Sequence, residues 1–233
     1  MQILKVEELK EILLKRPKGE MLKLREYKIC DGDFTGWKMD HVDFSLCHFA
    51  NCCFDEADLS FSSVENALFE NCSLRKAIFR NANMRTAAFR YNDLTGANIE
   101  GADLFGAVLE YAKLDEVIYD DATQYFKMRC PEKGAFLGYK KCFNNRLVQL
   151  LIPEDAKRTS ATMNSCRCSR AKVLTIKSFD YSEEFEEAWS LVDENFVYRK
   201  GDWVEVKDFN EDRWQDSTRG IHFWMTREEA LRY

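Results

Sequence analysis

The chain has 233 residues, 45% of them hydrophobic and 32% charged, with a net charge of −6; that length allows one large domain or two modest ones. Charge divides it: residues 1–25 carry +3, residues 26–125 carry −10 and residues 126–233 carry +1. The acidic middle argues against direct nucleic-acid binding, and the sequence lacks the apolar run or signal-like segment of a membrane or secreted protein.

Val6 to Arg16 reads as an amphipathic helix with Val6, Leu9, Ile12 and Leu13 on one face. Pro17 and Gly19 are expected to end it. From Ile29 to Leu114 a large apolar residue then falls on every fifth position, eighteen times in succession. Two residues before each lies a mostly small column, including Cys47, Cys52, Ala57, Ala67, Cys72, Ala77, Ala87 and Ala97. Five is neither the helical period nor the strand period. Residues two apart share one side of an extended segment, so each pentapeptide reads as a short straight side followed by a corner. Repeated sides and corners build a solenoid whose coils pair with those above and below. Gly32 and Trp37 interrupt the small column, so the first coil is expected to be irregular. Ser62 and Asn92 place polar atoms in that column, where they are expected to bond to nearby turn backbone.

The segments NALFENCSLRKAIFRNANMRTAAFR and GANIEGADLFGAVLEYAKLDEV resemble the pentapeptide-repeat family. The resemblance covers roughly residues 27–125. It implies a mainly β fold, a right-handed quadrilateral β-helix of about five coils. Open solenoid ends expose unpaired edges, so the helix is expected to be an N-terminal cap. Nine cysteines in odd number, three of them in the inward column, point to a reducing cytoplasm, bacterial or host. The repeat fades at Val117-Ile118-Tyr119, and Asp120-Asp121-Ala122-Thr123 reads as a last, degraded coil.

The expected division is a capping helix at 1–25, a β-helix at 26–126, a linker at 127–133 around Cys130–Gly134, and a small α+β domain at 134–233. Within that domain Ala135–Cys142 and Arg146–Ile152 read as a hairpin about Asn144-Asn145. Glu154–Ser160 stays ambiguous, and Ala171–Ile176 reads as a strand. Ser182–Leu191 reads as a helix. Phe196–Tyr198 and Trp203–Val206 read as strands of a hairpin about Lys200-Gly201. Ile221–Met225 is a short strand, and Thr226 to Glu229 forms a capping box that opens a last helix. The segments LIPEDAKR and RGIHFWMTREEA resemble an uncharacterised domain that follows pentapeptide repeats in some bacterial, bacteriophage and large-DNA-virus proteins. That resemblance supports the boundary and implies no reaction.

Candidate binding residues lie on outward positions. Arg75, Arg80, Arg85 and Arg90 follow the apolar residue in four consecutive repeats and should form a belt around one coil. Positions twenty apart should stack, setting Arg75 beside Asp55, Arg80 beside Glu100, Arg85 beside Glu65 and Arg90 between Glu70 and Glu110. Such pairs are mainly a ladder of exposed ion pairs, with an anion or partner site as the other reading. Tyr91 and Tyr111 should stack on one wall, with Phe61 and Phe105 also outward; contiguous exposed aromatics mark interfaces unless another module covers them. Cys166-Arg-Cys168 is half of a metal site at most. Arg213, His222 and Trp224, with Tyr139, Lys140, Tyr198, Arg199, Trp203 and Trp214, could line a pocket or fill an aromatic core. Ser217-Thr218, Glu205, Asp208 and Glu211 are near His222 in sequence, but spacing alone defines no nucleophile–base pair. No nucleotide-loop or zinc-protease motif occurs, and no cofactor is expected.

The leading expectation is therefore a non-enzymatic interaction protein with a protein partner, a homodimer being left open. Two alternatives are carried. One is a nucleic-acid mimic acting on a type II topoisomerase, as in some members of the resembled family. The other is a C-terminal module that binds or modifies a nucleotide-like ligand.

Overall fold

The computed structural model describes residues 1–16, 20–193 and 195–233. Pro17 and Gly19, expected to end the first helix, lie outside them. The described chain is mainly β, with two α-helices, and divides into two compact units, Met1–Lys127 and Met128–Tyr233.

In the first unit, β1 (Gln2–Ile3) precedes α1 (Val6–Lys15). Leu9 is the residue that α1 buries, while Glu7 and Glu8 occupy its first turn and Lys15 its last, the placement that a helix dipole favours. The Arg16 guanidinium donates to the Asp40 carboxylate and to the Asp40 carbonyl, both at 2.6 Å. Five short strands follow: β2 (Leu22–Lys23), β3 (Tyr27–Cys30), β4 (Val42–Asp43), β5 (His48–Ala50) and β6 (Leu68–Glu70). β1, β3, β5 and β6 form a parallel sheet in that order. Beyond these strands the same parallel pairing continues as single bridges twenty residues apart, such as Cys53 with Ser73 and Ile78 with Asn98.

The period of five explains this pairing. The apolar residue of each pentapeptide points inward, and Phe34, Phe44, Phe49, Phe54, Phe69, Phe79 and Phe89 are all fully buried. Each coil repeats the same slots, so like stacks on like: Phe69 lies between Phe49 at 5.0 Å and Phe89 at 4.8 Å, ring to ring. The small column leaves space for these rings, and the corner residue adopts a left-handed conformation, for example Asn71 at φ 53°.

The irregular first coil expected from Gly32 and Trp37 is not found. Asp33 pairs with Cys53 and Lys38 with Asp58 in the ordinary register. A Cβ on Gly32 would lie 2.3 Å from the Phe34 ring, so glycine makes room for that ring; Trp37 packs edge-on against it at 5.2 Å. Ser62 bonds to its own turn, donating to the Leu59 carbonyl at 2.5 Å. Asn92 instead reaches the adjacent coil. It accepts from the Cys72 amide at 2.7 Å and donates to the Phe69 carbonyl at 2.8 Å, so both ends of a buried amide are satisfied. At Asp120–Thr123 the spacing lengthens by one residue, Gln124 pairing with Asp103. The Thr123 hydroxyl fastens this turn by donating to the Ile99 carbonyl at 3.1 Å.

The second unit contains β7 (Phe136–Cys142), β8 (Arg146–Ile152), β9 (Arg158–Thr159), β10 (Ser165–Cys168), β11 (Arg170–Ser178), β12 (Glu187–Trp189), β13 (Val197–Arg199), β14 (Trp203–Glu205), β15 (Ile221–Trp224) and α2 (Arg227–Arg232). Seven strands make one antiparallel sheet in the order β14-β11-β8-β7-β15-β10-β9, and β12 pairs with β13. The β7–β8 hairpin turns at Asn144 and Asn145, both at φ 54°, the conformation that a two-residue turn with the strands' own twist requires. Thr226 caps α2 through the reciprocal bonds expected of it. The main core runs along one sheet face through Val148, Leu150, Ile152, Cys166, Cys168, Val173, Ile176, Tyr198 and Phe223. Met128 and Cys130 pack into it, so the stretch expected as a linker supplies core residues.

Two expectations fail here. Ser182–Leu191 forms no helix; its second half is β12, and Ala188 of that strand pairs with the buried Tyr198. The acidic residues after Ser182 read as the first turn of a helix, yet the Asp180 carboxylate accepts from Ser178 and Ser182 and folds the start into a tight turn. The strands around Lys200-Gly201 do not pair with each other. β13 joins β12, while β14 joins β11, and the Gly201 amide donates to the Val173 carbonyl at 2.9 Å. Glycine at φ 85° allows the chain to pass from one sheet to the other there.

Candidate functional site

Outward positions of the solenoid fall into vertical rows because successive coils pair twenty residues apart. One wall carries β3, β5 and β6 and continues through the bridges Leu68–Ala88 and Ala88–Val108. Its first outward row is Lys28, His48, Leu68, Ala88 and Val108; its second is Cys30, Ala50, Glu70, Arg90 and Glu110. At the corner stand Asp31, Asn51, Asn71, Tyr91 and Tyr111, all at positive φ. The lower corner residues form an amide ladder, Asn51 donating to Asp31 at 3.1 Å and Asn71 to Asn51 at 3.4 Å. Above it the Tyr91 and Tyr111 rings stack in parallel, 4.8 Å apart and 7° from coplanar. Tyr91 is 68% exposed, Tyr111 52% and Leu68 42%, so this wall presents apolar surface to solvent. Bulky side chains at positive φ are unusual, and here the repeating corner imposes the conformation.

The arginine belt is found on four successive sides of one coil, and its members do not converge. Arg80 pairs with Glu100 at 3.3 Å and Arg90 with Glu110 at 2.7 Å. Glu70, expected to flank Arg90, bonds instead to His48 at 2.8 Å. Arg75 meets Asp55 through its backbone amide at 2.9 Å. Arg85 does not pair with Glu65, which accepts from the Asn83 side chain. It donates to Asp103 at 2.7 Å and lies over the Phe105 ring at 4.5 Å. The ring twenty residues on draws the guanidinium toward the next coil, where Asp103 is the nearer acid.

A second feature of the solenoid is an open depression of about 390 Å³ lined by Asp40, His41, Asp58, Ser60, Phe61, Arg80 and Asn81. The His41 ring stacks on Phe61 at 5.0 Å and bonds to Asp40 at 3.1 Å. Phe61, expected as part of an aromatic surface, thus belongs to a different wall from Tyr91.

The second unit distributes its candidates through its packing. Arg213 donates to the Ser160 carbonyl at 2.9 Å and lies over Trp214 at 4.2 Å. His222 contacts the Asp216 carbonyl at 3.3 Å, and burial holds its pKa below the usual imidazole value. Trp224 is 5% exposed and packs with Leu147, Ala230 and Tyr139 under α2. Cys166 and Cys168 point into the main core. Among the described residues no three His, Cys, Asp or Glu side chains group to hold a metal.

Sequence reasoning missed Arg167. It is 2% exposed, and its guanidinium donates to the carbonyls of Asn210 and Arg219 at 3.0 Å and Asp212 at 2.9 Å. It therefore ties down the segment 209–219, with Phe209 against it. The alternation Cys-Arg-Cys does show Arg167 on the opposite face from the two cysteines; nothing local shows that a loop covers that face. Lys140 is also buried, its ammonium donating to the His222 carbonyl at 3.2 Å, and burial lowers its pKa.

Residues 42–119 match the family model of a pentapeptide repeat region, and residues 126–230 match a family of unknown function, DUF5758. No curated protein sequence matches the chain. Among solved structures it is similar to a pentapeptide repeat protein from the Arabidopsis thaliana thylakoid lumen, at 23% identity and a TM-score of 0.32, covering 41% of this chain and 63% of that one. It is also similar to QnrB1, a plasmid-mediated fluoroquinolone resistance protein, at 15% identity and a TM-score of 0.28, covering 54% and 68%. A third is HetL from Nostoc sp. strain PCC 7120, involved in heterocyst differentiation regulation, at 16% identity and a TM-score of 0.20, covering 52% and 80%. The chain therefore contains a pentapeptide repeat region at 42–119 followed by a DUF5758 C-terminal domain at 126–230.

Proposed function

We propose that the chain is a non-enzymatic interaction protein whose solenoid holds one wall rigid for a protein partner. The observation that carries this reading is the exposed surface of Leu68, Tyr91 and Tyr111 on paired, stacked coils. Side chains held by such a scaffold lose little entropy on binding, and tyrosine contributes both apolar area and a polar tip. Completing the reading are a right-handed quadrilateral helix of about five coils, α1 as its cap, an independent C-terminal domain whose core takes in Met128 and Cys130 ahead of the expected 134–233, and a cytoplasmic setting.

A photo-reactive phenylalanine analogue placed at Tyr111 in the full chain, in cells, tests it. We expect covalent adducts from Tyr111 and none from Thr35, an exposed position on another wall. Absence of any adduct from Tyr111 would overturn the reading. The −10 charge of residues 26–125 favours a second reading, imitation of duplex nucleic acid toward a type II topoisomerase. Unchanged supercoiling activity of such an enzyme at micromolar chain would remove it.

A further inference from the structure

In the second unit, segment 208–219 closes on itself. The Asn210 amide donates to the Arg219 carbonyl at 3.3 Å, Arg219 pairs with Asp208 at 2.9 Å, and the Asn210 side chain donates to Gln215 and Thr218. Compact surface loops with joined ends often serve function. Beneath this loop three strands present one row of side chains. Arg167 of β10 stands opposite Thr159 of β9 and opposite His222 of β15, and directly opposed residues of antiparallel strands share a face. All three can donate. Arg167 gives its hydrogen bonds to the carbonyls of Asn210, Asp212 and Arg219 rather than to a carboxylate. His222 Nε2 lies 3.3 Å from the Asp216 carbonyl, which can only accept, so Nε2 carries the proton. Four loop carbonyls thus serve Arg167 and His222. The Thr159 hydroxyl is buried, with 6% of the residue exposed, and has no hydrogen-bond partner. A buried hydroxyl left unpaired is costly and calls for a reason. We propose that Thr159, Arg167 and His222 form the floor of a phosphate-binding site and that loop 208–219 is its lid, the loop carbonyls standing in for phosphate oxygens while the site is closed.

The donor set selects the ligand. A guanidinium fork takes two oxygens in its plane. A carboxylate spends both of its oxygens on that fork and leaves none for the neighbouring strands. A phosphate seated there keeps oxygens for the Thr159 hydroxyl on one side and the His222 imidazole on the other. Charge points the same way. Asp212 and Asp216 are the acids whose charge reaches Arg167, and both ride on the loop. The Asp212 carboxylate accepts from the Trp214 amide and the Gln215 side chain, within the loop itself. Lifting the loop therefore removes negative charge from the floor and frees the donors at one stroke. It also breaks the Arg213 bond to the Ser160 carbonyl, so the closed form dominates. Phosphate must draw on a minor open form, and its apparent affinity falls by that fraction, to the order of millimolar. This site is separate from the solenoid wall and does not depend on it.

Titration of the full chain with inorganic phosphate, followed by amide NMR against sodium chloride of equal ionic strength, tests the proposal. Saturable shifts are expected at Thr159, Arg167 and His222 and through 209–219, with faster hydrogen exchange in that loop at saturation. The deciding variant is Thr159→Val. Removing an unpaired buried hydroxyl should leave the chain folded and no less stable by chemical denaturation, yet weaken phosphate binding by at least about fivefold. A smaller loss of affinity overturns the proposal, because the hydroxyl would then have no part in a site. Shifts no larger than those of the chloride control overturn it too, as does saturation by acetate at the same concentration, since the tetrahedral argument would fail. A nucleoside monophosphate separates the sources of the phosphate. Tighter binding than inorganic phosphate at the same residues assigns the site to a phosphate ester, and equal or weaker binding assigns it to the free ion.

Discussion

The two units solve the same burial problem in opposite ways. In the solenoid every coil repeats one set of slots, and a residue's environment follows from its place in a column. Hydrogen bonds there link positions about twenty apart, over and over, as when the Phe54 amide donates to the Ser73 carbonyl at 2.7 Å. In the second unit the sheet order β14-β11-β8-β7-β15-β10-β9 brings distant segments together once each. Its environments are individual, and it buries charged groups, Arg167 and Lys140, whereas among the described residues of the solenoid no charged side chain is buried. Periodic packing spreads responsibility over equivalent positions, whereas an irregular core concentrates it in a few unrepeated contacts.

Substitutions can break that contrast. The largest effect is expected from Phe69→Ala. The ring is 1% exposed between Phe49 and Phe89, and the loss should be about 3–5 kcal/mol by chemical denaturation. A loss under about 1 kcal/mol would mean that the stack relaxes to fill the gap and that the slots are not rigid. Arg167→Met comes next. It leaves three part-buried carbonyls without their donor, offset in part because no charge is then buried, for a net cost of about 1–2 kcal/mol. Hydrogen exchange should quicken in segment 209–219 specifically; uniform exchange across the unit would show that Arg167 is not its tether.

A smaller effect concerns pH. Burial lowers the pKa of His222 below its ordinary value of 6.5. Between the folded value and 6.5 the unfolded chain binds more protons, so stability rises with pH in that window. It is lost as pH falls from 6.5 through the folded value. His222→Gln should flatten this part of the stability–pH curve of the second unit, and an unchanged slope would show that other groups set it. The smallest effect belongs to the exposed belt: Arg80→Ala, with Arg80 56% exposed, should alter stability by about 0–0.5 kcal/mol. A larger loss would make the ion-pair ladder a structural element after all.

Legibility in the sequence followed the same divide. The column from Ile29 to Leu114 and the stacking of Tyr91 on Tyr111 are consequences of arithmetic with a step of twenty. The partner of Arg85 was not, because Phe105 competes for its guanidinium and carries it toward Asp103. In the second unit the local signals that held were those with a local cause, the Asn144-Asn145 turn and the Thr226 capping box. Ser182–Leu191 failed because acidic residues suited to a first helical turn carry no information about the pairing of Ala188 with Tyr198 on the following strand.

The sequence by itself determined the solenoid, its inward and outward rows, and the change of regime after the repeat ends, because a short period makes each residue's neighbours a function of its number. Only the tertiary structure decided that Arg167 is buried, that β13 and β14 part to different sheets, and that Leu68, Tyr91 and Tyr111 share one exposed wall while Phe61 stands on another. Those outcomes depend on which distant segments meet, and burial of a side chain is a property of what covers it rather than of the residues beside it in the chain.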